Sequence, residues 1–245
     1  MGRAEIEVSA VINGRRYPRE AVLAWEAGRL PKAAAKIGLA VPSGSLERRR
    51  RAFAESKIAL GAEEIGRRLR RDLRIGDAVS ATTARLSRGG RAMSVCDLHV
   101  AAGGAAEFVR WFTDTARPDY VHSMIAASPD HFLIQTAPDG TQEVVETTGG
   151  SPLATRFFVD YTDLSALASA PDSRFTAQAA GVAISAGGRT IGGVRHQFRD
   201  GPDGLHARLC VEFPRLVAPH MISQHRWHLA AEFSNWIEFA FARDR

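Results

Sequence analysis

The apolar positions between residues 19 and 74 recur at intervals of three and four residues, the spacing that predicts helices. Two segments carry this pattern, REAVLAWEAGRLPKAAAKIGL and LERRRRAFAESKIALGAEEIGRRLRRDL. The sequence VPSGS at residues 41–45 separates them, because Pro and Gly interrupt helices, and Ser45 can cap the second segment. The pattern therefore predicts a helical N-terminal region over residues 1–76.

From residue 77 onward, short segments of alternating apolar and polar residues replace the helical pattern, and turns containing Gly, Pro and Asp separate them. The predicted strands are AVSATTARL, AMSVCDLHV, HFLIQTA, QEVVETT, TRFFVDY, AQAAGVAIS, IGGVRHQF and LHARLCVEF. A short helix, GGAAEFVRWFTDTA, follows the second of them. A long helix begins at Pro219, a residue that suits a first helical turn.

These elements predict an α+β fold in which seven or eight antiparallel strands form a curved sheet around the long C-terminal helix. We expect this second domain to occupy residues 77–245. A sheet that curls around a helix leaves a cavity between the two. This is the helix-grip, or Bet v 1-like, architecture, and it favours a protein that holds an apolar ligand.

The net charge of the chain does not alter the expectation of a ligand-holding α+β protein. The chain of 245 residues has a formal net charge of +5, and its positive residues are concentrated between residues 29 and 74. The arginine runs there lack interleaved aromatic residues, which stack on bases in nucleic-acid sites. We therefore expect a solvated basic helical face and no nucleic-acid partner.

The two cysteines, Cys96 and Cys210, are far apart and form no CxxC pair, which is typical of a reducing compartment. The sequence contains neither an apolar run of membrane-spanning length nor a secretory leader. We expect a cytoplasmic protein without a membrane partner.

The C-terminal helix carries the first candidate chemistry. His228 and Glu232 are four residues apart, so they project from one helical face, as the two ligands of an HExxH metal site do. The same two residues could instead form a hydrogen-bonded pair at the edge of the core. A metal site needs further ligands from other elements.

Three further polar residues lie on predicted strands. His131 and Glu146 stand on the two strands joined by the PDGT turn and can approach each other across that hairpin. Glu146 is either exposed at an edge or buried with a partner, because burial alone is costly. His196 shares its strand face with Val194 and Phe198, which predicts an inward position, either as a core histidine or as an acid–base residue in a cavity.

Six motifs over residues 105–240 resemble, in the same order, those of the diacetylphloroglucinol hydrolase and phloretin hydrolase family. They are EFVRWF, DYVHSMIAASPDH, ETTGG, RFFVDYTDL, VRHQFRDGPDGLHARLCVEF and HLAAEFSN. Members of that family are zinc-dependent hydrolases of a carbon–carbon bond between an acyl group and a phenolic ring. The basic N-terminal helices have no counterpart in the resemblance.

The resemblance implies four zinc ligands: His131, Glu146, His228 and Glu232. It also implies His196 as the general acid or base and Tyr120 as a pocket tyrosine. His122 competes with His131 for the first ligand position. His220 and Gln224 could be mistaken for the helix pair, although an amide is a poor zinc ligand.

The sequence therefore predicts a zinc-dependent hydrolase that cleaves the bond between an acyl group and a phenolic or polyketide-like ring. The alternative is a non-catalytic helix-grip module that binds an aromatic or polyketide ligand. A protein that contacts DNA through its basic helices is a third possibility. Iron or manganese would suit the same ligands, and a homodimer is compatible with either reading.

Overall fold

The computed structural model describes residues 6–241. The helices are α1 (Arg19–Lys36), α2 (Leu46–Leu60), α3 (Ala62–Ser87), α4 (Ala105–Thr113), α5 (Tyr120–Ala126) and α6 (Pro219–Phe241). The strands are β1 (Val8–Ile12), β2 (Arg15–Pro18), β3 (Arg91–Val100), β4 (His131–Thr136), β5 (Gln142–Glu146), β6 (Thr155–Asp160), β7 (Ala177–Ser185), β8 (Thr190–Gly201) and β9 (Gly204–Pro214).

The nine strands within residues 6–241 form one antiparallel sheet in the order β2-β1-β3-β9-β8-β7-β6-β5-β4. The core lies where α6 packs on this sheet. Leu98 and Phe198 from the strands are fully buried with Leu229 and Ile237 from α6. The α+β class, the antiparallel sheet and the long C-terminal helix are confirmed.

The structure corrects two predictions for the first third of the chain. Strands β1 and β2 were not predicted, although Val8, Ala10 and Ile12 alternate as buried residues and β1 pairs with β3. The segment AVSATTARL is not a strand but the second half of α3. The predicted boundary between residues 76 and 77 therefore falls inside a continuous helix.

The pattern of buried residues explains why α3 continues as a helix to Ser87. Its buried positions include Leu69, Gly76 and Ala84, which follow helical rather than alternating spacing. Gly76 sits where a Cβ atom would lie 2.7 Å from the carbonyl oxygen of Ala154. The glycine lets α3 cross close to β6, and this tertiary contact outweighs the β-type pattern of the local sequence.

The N-terminal helices pack into the rest of the protein instead of presenting all their charge to solvent. The Ser45 hydroxyl caps α2, as predicted, by accepting from the Arg48 amide at 3.4 Å. Arg50 is buried and pairs with the buried Glu26 at 2.7 Å. The predicted solvated basic face is thus only partly correct. None of the described helices is long and apolar enough to cross a membrane.

Candidate metal centre

His131 and Glu146 face each other across the β4–β5 hairpin. His131 opens β4, Glu146 closes β5, and the two are register partners in the antiparallel pair. Their exposures are only 0% and 5%, respectively. The sequence left Glu146 either exposed or buried with a partner, and the structure selects the second alternative.

His228 and Glu232 approach this hairpin from one face of α6. The His131 Nε2 atom lies 3.0 Å from Glu232 Oε2 and 3.3 Å from His228 Nε2. Glu146 Oε2 lies 3.5 Å from the Nε2 atom of His131 and 3.6 Å from that of His228. Glu232 Oε2 is 3.5 Å from His228 Nε2. Two imidazoles and two carboxylates therefore lie close together, and each carboxylate approaches both imidazoles.

The separations among the ligand atoms of His131, Glu146 and His228, from 3.3 to 3.6 Å, fit the ligand shell of one small metal ion. In a tetrahedral site with bonds of about 2.0–2.1 Å, the ligand atoms lie about 3.3 Å from one another. The buried group of His131, Glu146 and His228 could hold such an ion. Glu232 lies within the same range of both histidines and adjoins this group, although it is not one of the three residues whose ligand atoms all lie within 4.8 Å of one another.

Hydrogen bonding of His131 also favours a cation at this point. Its Nδ1 atom lies 2.9 Å from the carbonyl oxygen of Met124, which can only accept, so Nδ1 carries the proton. In the neutral imidazole Nε2 is then a bare acceptor, yet it faces the Glu232 carboxylate. Two acceptors at this distance repel each other unless a proton or a metal ion lies between them. Metal-bound histidines are commonly oriented by such a carbonyl.

The electrostatics of the cluster favour positive charge as well. Burial alone would lower the pKa of His228, but Glu232 and Glu146 raise it well above its ordinary value. Burial alone would raise the pKa of Glu146, but His228 and His131 hold it below its usual range. The carboxylates therefore stay ionised inside the protein, and the site attracts a proton or a metal ion.

Asp130 fixes the ends of the two strands that carry His131 and Glu146. Arg29 on α1 donates two hydrogen bonds to Asp130, at 2.9 and 2.7 Å. The Thr147 hydroxyl also donates to this carboxylate, and the Thr147 amide donates to the Asp130 carbonyl at 3.2 Å. Because Asp130 precedes His131 and Thr147 follows Glu146, this network sets the spacing of two candidate ligands.

The glycines of ETTGG bring the hairpin against α6. Together with Thr148, these two glycines form a short 3-10 turn at Thr148–Gly150. Gly149 has φ of 56°, and a Cβ atom there would lie 2.7 Å from the backbone nitrogen of His225. Only glycine allows so close an approach, and it places Glu146 within reach of His228.

Lys57 on α2 anchors the loop that precedes His131. It is 1% exposed. Its ammonium nitrogen lies 2.6 Å from the carbonyl oxygen of His131 and 3.3–3.4 Å from three further carbonyls, those of Ile125, Ser128 and Pro129. Burial lowers the pKa of Lys57 to about 7, against the attraction of Asp130 and Glu26. Four carbonyl acceptors around one nitrogen favour its ammonium form and fix the backbone that carries His131.

Replacing Lys57 by methionine should lower the metal affinity of the protein about tenfold or more, because residues that orient metal ligands contribute on that scale. Titration against a chelator of known affinity would measure this change. Lys32→Met, which removes an exposed charge from α1, is the matched control. A folded Lys57→Met protein with the affinity of the control would contradict the anchoring role.

His196 lines the same cavity as the cluster, an apolar space of ≈ 430 Å³ between the sheet and α6. Its ring centroid lies 4.6 Å from that of Phe233. Burial lowers the pKa of His196 to about 4, although Glu232 opposes this shift. Its Nδ1 atom has no hydrogen-bond partner. Within the described protein this nitrogen is therefore not satisfied by a backbone group, and the ring is neutral at pH 7.

The structure places Tyr120 behind the cavity wall. Tyr120 is buried and accepts a hydrogen bond from Gln142 at 2.8 Å. Gln142 and Tyr161 line the cavity, and Tyr161 donates to the Gln142 side chain at 3.2 Å. Tyr161 was not singled out from the sequence, because its motif RFFVDYTDL indicates only a strand end. It is the tyrosine that reaches the ligand space.

The alternative ligand residues considered from the sequence lie away from the candidate metal centre. The described residues build their buried ligand group around His131, whereas His122 is only partly buried. His220 is exposed in the first turn of α6, and Gln224 accepts a hydrogen bond from the Trp25 indole at 3.1 Å. His225 lines the cavity, but its Nδ1 atom pairs with the Ser94 hydroxyl at 2.9 Å.

No protein-family model matches the chain, and no curated protein is significantly similar to it. The family resemblance of the six motifs therefore stays a prediction, and the function must be inferred from the geometry of the site.

Proposed function

We propose that the protein is a zinc-dependent hydrolase that cleaves the carbon–carbon bond between an acyl group and a phenolic or polyketide-like ring. The observation that carries the proposal is the convergence of His131, Glu146, His228 and Glu232 in the wall of an apolar cavity that also contains the neutral His196. A metal site, a place for a ring and a proton carrier thus share one space.

The sheet order supports a helix-grip fold for this site. Strand β3 pairs with the last strand β9, the helices α4 and α5 follow β3, and β4 to β9 continue the sheet by antiparallel pairing of successive strands. The helix α6 then covers the concave face, where the cavity lies. In this arrangement the ligands on α6 and on the β4–β5 hairpin meet at the wall of the ligand space.

Zinc, when bound, would polarise the acyl carbonyl and lower the pKa of a water molecule. The cavity walls, which include Phe233 and Val194, would hold the aromatic ring and exclude bulk water. His196 is neutral and has one uncommitted nitrogen, so it can take a proton from the attacking water and pass it to the ring carbon. The acyl carbon gains the hydroxyl, the ring carbon gains the proton, and the products are a carboxylic acid and a phenol.

Protein purified without a histidine tag should contain about one zinc ion per chain, because His131, Glu146 and His228 form a buried ligand group and a catalytic site keeps a further position open for water or substrate. Elemental analysis by mass spectrometry would measure the stoichiometry. Finding iron or manganese instead of zinc would support the proposed metal site and would correct only the identity of the metal. A folded protein that takes up no transition metal would contradict the hydrolase and favour the second candidate.

That second candidate is a non-catalytic module that binds an aromatic or polyketide ligand. The apolar lining of the cavity favours it as much as it favours the enzyme. Incubation of the metal-loaded protein with an acylphloroglucinol separates the two candidates, because only the hydrolase releases the carboxylic acid. Binding without release would identify the module.

A further inference from the structure

The cavity is longer than the metal centre requires. Lining residues on α6 run from Met221 through His228 and Glu232 to Trp236. At a rise of 1.5 Å per residue, this face extends for about 22 Å, and Met221 lies about 10 Å from His228 along the helix axis. The candidate ligands therefore occupy the middle of a channel and not its entrance.

The two ends of this channel differ in exposure. Val79 on α3 and Leu216 before α6 line the cavity and are 52% and 54% exposed, respectively, which marks the mouth. Phe112 and Trp236 line it at the opposite end and are only 4% and 5% exposed. The channel is open on the α3 side and closed behind the metal centre.

The part between the mouth and the metal centre is apolar. Met221, Val217, Phe213 and Leu153 line it together with the two mouth residues. The polar groups there are hydroxyls, among them those of Ser80 and Thr83, and the ring of His225, whose Nδ1 atom pairs with the Ser94 hydroxyl. One carboxylate, Glu212, also lines the cavity, but its oxygens accept from the amides of residues 168 and 169 at 2.9 and 2.8 Å. No unpaired charge in the described lining would oppose a hydrocarbon chain.

We propose that the substrate is a phenolic ketone with an apolar chain of about six to eight carbons, which lies between the metal centre and the mouth. This inference rests on the proposed hydrolase function. An extended chain of that length spans about 6–9 Å and therefore fits within the helix distance of about 10 Å from His228 to Met221. An acetyl group would leave the outer channel empty, whereas a longer chain would bury against its walls.

The test is a series of phloroglucinols acylated with acetyl, butanoyl, hexanoyl and octanoyl groups, with dissociation constants measured by calorimetry and kcat/KM by acid release. Affinity should rise about three- to fourfold per added methylene, the gain for burying one such group. An acetylresorcinol with a hexyl chain on the ring shows whether the chain belongs to the acyl group or to the ring. Equal affinity across the whole set would overturn the inference.

Met221→Trp should fill the channel and bring the ratio of hexanoyl to acetyl affinity close to one. Val79→Trp narrows the mouth and serves as a second variant if the first does not fold. Leu86→Trp is the control, since Leu86 is 56% exposed on the same helix and does not line the cavity. If both channel variants keep the ratio of the control, the inference is wrong. If affinity depends on chain length but no acid is released, the chain-binding channel is supported and the hydrolase function is rejected. If acid is released at a rate that does not depend on chain length, the hydrolase function is supported and the chain-binding channel is rejected.

Discussion

Turnover of an acylphenol should fall about a hundredfold or more in a His196→Ala variant, while the metal content stays at the wild-type level. His196 lines the cavity but is not among the atoms that converge on the metal position. Loss of a general acid or base typically costs two to four orders of magnitude in rate. Because proton transfer matters mainly in the transition state, kcat should change more than the affinity for substrate.

His220→Ala is the matched control for this experiment, because it removes an exposed histidine from the same protein. The pH profile adds a second readout. The pKa of His196 is lowered to about 4, so its neutral form persists at pH 7 and activity should be lost only as the pH falls toward 4. A folded variant with near-normal turnover would leave His196 as a core residue, and loss of metal would make it a ligand.

Metal affinity should fall by more than about a hundredfold in Glu232→Ala, since even residues that merely support ligands contribute up to that amount. Glu232 carries the oxygen nearest to His131 Nε2, at 3.0 Å. Removing it takes away one candidate donor and one of the two carboxylates that raise the pKa of His228 in the metal-free protein. Competition with a chelator would measure the loss.

Gln224→Ala is the control two turns earlier on α6. Gln224 accepts from the Trp25 indole and is polar, partly buried and on the same helix. Its removal should change metal affinity little. Equal losses in the two variants, or a larger loss at Gln224, would mean that the metal lies beside a different turn of α6.

The sequence was most informative where one local pattern determines both structure and side-chain direction. The PDGT turn joins two alternating strands, so the pairing of His131 with Glu146 follows from their positions on the hairpin. The i, i+4 spacing likewise places His228 and Glu232 on one face of α6. The meeting of the two pairs was implied only by the family resemblance, because it depends on how α6 packs on the sheet.

The sequence was least informative where distant contacts override local preference. The second half of α3 has a β-like composition, and only its packing against residue 154 shows why it stays helical. Arg29 and Lys57 resemble other residues of a basic helix, yet they contact groups 101 and 74 residues away, Asp130 and His131. No local pattern distinguishes an anchoring cation from a solvated one.

The separation of the two ligand pairs along the chain has a consequence for synthesis. His131 and His228 are 97 residues apart, and β6 to β9 lie between them. While the ribosome is still making those strands, the nascent chain offers only the hairpin pair, which would bind a metal ion weakly. Tight binding at the proposed site must wait until α6 has emerged and docked, so premature loading with a competing metal is disfavoured by the order in which the ligands appear.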